Sequence, residues 1–67
     1  MTEARKKEIC KEYARCTQNC LSSSAERRMR ELEKEAGAAG LEFHMTNREQ
    51  YMMPHFIGEP RYELVTA

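Results

Sequence analysis

Apolar side chains recur at helical spacing along the first half of the chain. Ile9, Tyr13, Cys16 and Cys20 step by four, three and four residues, and Ala25, Met29, Leu32 and Ala36 repeat the same steps. Such steps place side chains on one face of a helix. They predict two amphipathic helices, at residues 3–20 and 24–36. Only residues 21–24 separate the two ladders, so the chain is expected to fold back as an antiparallel helical hairpin. A hairpin this slender cannot bury both faces alone. Its cover must come from the C-terminal third, a second copy or a partner.

Local signals support these elements. Glu3/Lys7, Glu8/Lys11 and Glu12/Arg15 are favourable pairs on the first helix, while Lys7/Lys11 and Lys11/Arg15 are like-charged pairs that oppose it. Thr17, Gln18 and Asn19 weaken its last turn, and the run of Ser22, Ser23 and Ser24 ends it. Ser23 followed by Glu26 fits a capping box at the start of the second helix, with Glu26/Arg30 and Arg27/Glu31 as pairs four apart. Gly37 and Gly40 supply its stop.

Beyond residue 40 the period changes. Residues 41–46 alternate apolar and polar, which predicts a half-buried strand with Leu41, Phe43 and Met45 inward. Asn47, with Gln50 three residues on, allows one short helical turn before Pro54. Residues 62–65 read as a second strand, with Tyr62 and Leu64 inward, or Val65 if the register slips. The pattern leaves open whether the strands run parallel or antiparallel. Between them, residues 51–60 hold Tyr51, Met52, Met53, Phe56 and Ile57, two prolines and a single charge. A solvated loop does not have this composition. The segment either packs over the hairpin or stands exposed for a partner.

The fold class is therefore α+β: one small domain over residues 1–67, with a helical hairpin at 3–36 and a β-rich part at 41–66 joined by an irregular apolar connection. At 67 residues, such a chain buries only about 60% of the surface its unfolded form exposes. Two strands alone are barely stable in water. Strands from a second copy would complete a sheet, so a homodimer is expected.

Net charge is zero, which argues against a dedicated nucleic-acid coat. The charges are unevenly spread: residues 1–40 carry nine basic and seven acidic side chains, and residues 41–67 carry two and four. No run approaches the roughly 20 apolar residues of a membrane span, and the basic N-terminal segment has no apolar stretch behind it. Three cysteines is an odd count for a disulfide framework. A cytoplasmic protein with reduced thiols is expected.

Candidate chemistry is sparse. Cys16 and Cys20 on one helical face, with His44 and His55, make a conceivable zinc set, but the spacing matches no standard finger. Packing alone would choose the same cysteine positions. Without Asp, a Gly-rich loop or a local nucleophile motif, no enzyme and no cofactor is expected. Arg27, Arg28 and Arg30 offer a basic cluster, but it carries interleaved Glu and reads first as a salt-bridged helix face.

The methionine and aromatic segment is the strongest functional signal, because Met and Tyr suit adaptable binding surfaces. The expected function is a non-catalytic protein-binding module, a small regulator or inhibitor that occupies the surface of a larger protein. Its contact residues would be Tyr51, Met52, Met53, His55, Phe56 and Ile57, flanked by Arg27, Arg28 and Arg30. The alternative is a small nucleic-acid-binding or zinc-stabilised transcriptional regulator.

Overall fold

The structure, a computed structural model, describes residues 1–19 and 21–67. Helix α1 spans Glu3–Gln18. The Thr2 hydroxyl caps it by accepting from the Arg5 N–H at 3.2 Å. Glu3 in its first turn and Arg15 in its last complement the helix dipole. Asn19 is its C-cap, so the helix stops where Thr17, Gln18 and Asn19 weaken it. The expected last rung of its ladder, Cys20, lies outside the described residues.

Helix α2 spans Ser23–Ala38, two residues beyond the expected end. Its N-cap is Ser22, whose hydroxyl accepts from the Ala25 N–H at 3.5 Å. The Ser23 capping box is therefore not formed; Glu26 binds Arg30 at 2.8 Å instead. Three consecutive serines offer equivalent hydroxyls, and the backbone selects the earliest. The helix also passes through Gly37, and the stop falls at Gly40, whose φ of +72° only glycine adopts easily.

Strand β1 (Leu41–Met45) and strand β2 (Tyr62–Thr66) pair antiparallel, with Phe43 opposite Leu64 and Met45 opposite Tyr62. Between them lies the expected single turn of helix, α3 (Arg48–Tyr51). The Asn47 side chain does not cap α3. It ties the strand ends together, donating to the Glu59 carbonyl (3.1 Å) and accepting from the Arg61 N–H (2.9 Å).

The molecule has two layers. In the sheet layer β2 lies against α1 and β1 against α2. The cover that the helical ladders require is thus supplied by the chain's own C-terminal third. Ile9, Leu32 and Pro60 are fully buried, and Ala14, Cys16 and Ala36 are nearly so. Tyr13 joins the layers. Its ring stacks on Phe43 (centroids 3.9 Å apart, 4° between planes) and meets Tyr62 edge-on at 4.8 Å. Its hydroxyl donates to Glu33 at 2.6 Å. Tyr62 and Leu64 share the helix-facing side with Phe43, which settles the register in favour of the first expected face.

Across the hairpin, Arg5 forks onto both carboxylate oxygens of Glu35 (2.7 and 2.6 Å), and Arg28 forks onto Glu12. These links cross-brace the two helices. They replace several of the expected local pairs: Glu8 and Glu31 bind Arg5 and Arg28, not Lys11 and Arg27.

A pH profile follows from these contacts. The Arg28 and Arg5 guanidiniums hold the Glu12 and Glu35 carboxyls below their ordinary 4.5. Burial, with the hydrogen bond to Glu33, raises the Tyr13 phenol above its ordinary 10.0. The folded state binds fewer protons than the unfolded one at the carboxylates and more at the phenol. Burial also raises the Cys10 and Cys16 thiols above their ordinary 9.0, so stability is expected to be full between roughly pH 5 and 9, to fall as acid reaches the depressed carboxyls, and to fall again as alkali passes the ordinary thiol and phenol values toward the raised ones. Urea unfolding at a series of pH values checks this plateau.

Candidate functional site

Exposed apolar surface gathers at one end of the molecule. After Gly40, β1 runs back along α2, so the connection between the strands returns to the end where the helices turn. The hydrogen bond between Thr17, in the last turn of α1, and Tyr62, at the start of β2, marks this meeting (3.1 Å). Leu21 in the helical turn is fully exposed. In the strand connection Ile57 is 98% exposed, Met52 72% and Met53 64%. Large apolar side chains this open are not part of the fold's own core.

The apolar connection thus divides. Pro60 is core, and Tyr51 and Phe56 are half-buried, their rings meeting edge-on at 6.3 Å. Phe56 lies so close over Gly58 that a Cβ there would stand 2.8 Å from its ring. A larger residue at 58 would force the Phe56 ring to shift; Met52, Met53 and Ile57 project beside the aromatic pair. His55 is exposed on the same segment.

The arginine flank is narrower than expected. Arg27, Arg28 and Arg30 lie in the first turns of α2, at the same end of the molecule. Arg28, however, is committed to Glu12 and Glu31, and Arg30 to Glu26. Among the described residues Arg27 is the member of the trio with no acidic partner.

The alternative zinc set is not assembled among the described residues. Cys16 is buried, His44 lies exposed on the outer face of β1 opposite Glu63, and His55 sits in the connection. Among the described residues no three potential ligands stand together; Cys20 lies outside them. Burial raises the thiol pKa of both Cys10 and Cys16, helped by Glu63 and Glu12 respectively. Both are kept as thiols at neutral pH, the weakly nucleophilic form. No described helix is long and apolar enough to cross a membrane.

A second feature lies on the opposite flank of α1. An open groove of about 720 Å³ runs between this helix and residues 59–62, with no part of α2 or β1 in its walls. Lys7, Lys11 and Arg15 form a stripe along it. The sequence carried the signal for this stripe in its like-charged pairs four apart, which count against helix stability when read locally.

No protein-family model, curated protein or solved structure matches this chain.

Proposed function

We propose that this protein is a non-catalytic protein-binding module, a small cytoplasmic regulator or inhibitor that occupies the surface of a larger protein through the apolar end of its fold. The observation that carries the reading is the exposure of Met52, Met53 and Ile57 on a connection whose neighbours Phe56 and Pro60 are packed. The fold closes its core without these side chains, so their apolar surface is available to another molecule. Tyr51, Phe56 and His55 lie beside the patch, and Arg27 is its available charge. Cys10 and Cys16 are free thiols, in keeping with a reducing compartment. The homodimer belongs to the same reading, as a contact between two such ends that a partner would displace.

The test places a photo-crosslinking side chain at position 55, exposed on the same segment, and compares the otherwise original chain with Met53→Glu and Ile57→Glu. Each substitution is expected to weaken partner capture by about thirtyfold or more, the scale of a central interface residue. Helical circular dichroism should remain unchanged, because neither side chain packs in the core. Capture that survives both substitutions, or unfolding caused by either, would sink the reading.

A further inference from the structure

The sheet has two strands, so the outer edge of β2 is unpaired by any other strand. Its hydrogen-bonding phase can be read. The Thr46 N–H donates to the Arg61 carbonyl (2.8 Å), and the Ala67 N–H to the Gly40 carbonyl (3.0 Å). Bonded and non-bonded pairs alternate along an antiparallel ladder. Arg61, Glu63, Val65 and Ala67 therefore turn their backbone groups toward β1. Tyr62, Leu64 and Thr66, which occupy the non-bonded register positions, turn theirs outward to the free edge.

The groove flanking α1 opens onto this edge at Tyr62, the first residue of β2. Its floor includes Cys10, Ala14 and Pro60, small or compact side chains that leave depth beside the strand. Its rim is basic. Lys7, Lys11 and Arg15 rise from one stripe of α1, Arg61 faces them, and all four are exposed. None of the four takes part in an ion pair among the described residues. Of the two acidic side chains in the walls, Glu8 is held by Arg5; Glu59, with Glu63 near enough to act on Cys10, stands against four cations.

We propose that this groove is a docking site for an extended, Asp/Glu-rich segment of a partner protein, which adds to β2 as a third strand and sets its carboxylates against Lys7, Lys11, Arg15 and Arg61. Main-chain bonds to Tyr62, Leu64 and Thr66 supply the attachment, and the cationic rim supplies selectivity. A second copy is a poorer occupant. Pairing two β2 edges about a twofold axis would bring the two Lys7–Lys11–Arg15 stripes together. A head-to-tail copy would present Glu33 and Glu42, which line the recess beside β1, and such a contact would give rings or filaments, not the commoner twofold dimer. The site adjoins the apolar end but shares none of its proposed contact residues, so each can fail without the other.

The probe is a short fluorescent peptide alternating Glu and Val, titrated into the full chain and followed by anisotropy and amide NMR. Saturable binding is expected, weakening as salt rises because screening shortens from about 10 Å at 0.1 M to about 3 Å at 1 M. Amide protection should appear at Tyr62, Leu64 and Thr66. The Lys11→Glu/Arg15→Glu variant should bind about tenfold more weakly, while Met53→Glu should bind as the original does. N-methylating alternate peptide amides should abolish binding in one frame and spare it in the other, a control that leaves the protein untouched. The proposal is overturned by absent binding at low salt, equal binding in both N-methyl frames, tighter binding of an oligonucleotide of matched charge, or self-association that the peptide does not displace.

Discussion

Replacing Leu32 with alanine is expected to lower the unfolding free energy by about 2–5 kcal/mol. A chain of 67 residues has a total of roughly 3–10 kcal/mol to lose, so Leu32→Ala should remove a large fraction of the stability. Leu32 is fully buried where α2 faces the sheet, with Ile9 its counterpart on α1 and Ala36 one turn further along. The core offers few other large side chains to fill the space a leucine leaves. Urea unfolding followed by helical circular dichroism measures the loss. Leu21→Ala is the matched control: its side chain is fully exposed, and the change should stay within about 0.5 kcal/mol. Equal effects at the two positions would mean that the core lies elsewhere.

The second large effect belongs to Tyr13. Tyr13→Ala removes the ring that stacks on Phe43 and abuts Tyr62, and it leaves Glu33 without its hydroxyl donor. A loss of about 2–4 kcal/mol is expected, somewhat under that of a fully buried aromatic because the side chain is half-exposed. Tyr13→Phe separates the two contributions. It keeps the stack and deletes one hydrogen bond to a carboxylate that water can reach, so it should cost about 0.5–1.5 kcal/mol. The same variant should retain stability to higher pH than the original chain, since the buried phenol that ionises in alkali is gone. Should Tyr13→Phe prove as damaging as Tyr13→Ala, the bond to Glu33 across the hairpin, and not the aromatic stack onto the sheet, carries the contribution of Tyr13.

The two positions also show how far the chain could be read before it was folded. Leu32 stood out as a rung of an apolar ladder, and burial followed from helical spacing alone. Tyr13 stood on its ladder too, but its stacking on Phe43 joins residues 30 apart, and no local pattern encodes that choice. The ion pairs repeat the lesson. Reading along each helix pairs Glu12 with Arg15 and Arg27 with Glu31. In the folded protein the stronger attachments run across the hairpin, from Arg28 to Glu12 and from Arg5 to Glu35, because two guanidinium nitrogens meet both carboxylate oxygens there. The serine run marked the start of α2 to within one residue. Three equivalent hydroxyls could not themselves say which would become the cap.

The two candidate surfaces differ in the same way. Residues 51–60 declared themselves by composition, and the open question was whether they were core or surface. Packing divided them, taking Pro60 into the core while Met52, Met53 and Ile57 stayed in water. The groove beside α1 left a fainter trace. Lys7, Lys11 and Arg15 register locally as repulsion along a helix, and they become a rim only once β2 lies beside that helix with one edge open.

Element type, the helical faces and the apolar excess of the strand connection were legible in the order of residues, because they depend on neighbours within four positions. The antiparallel register, the source of the cover over the helices and the fate of each charged side chain were settled by contacts between distant segments. Those contacts depend on which surfaces meet once the sheet closes over the hairpin, and neither helical period nor strand alternation carries that information.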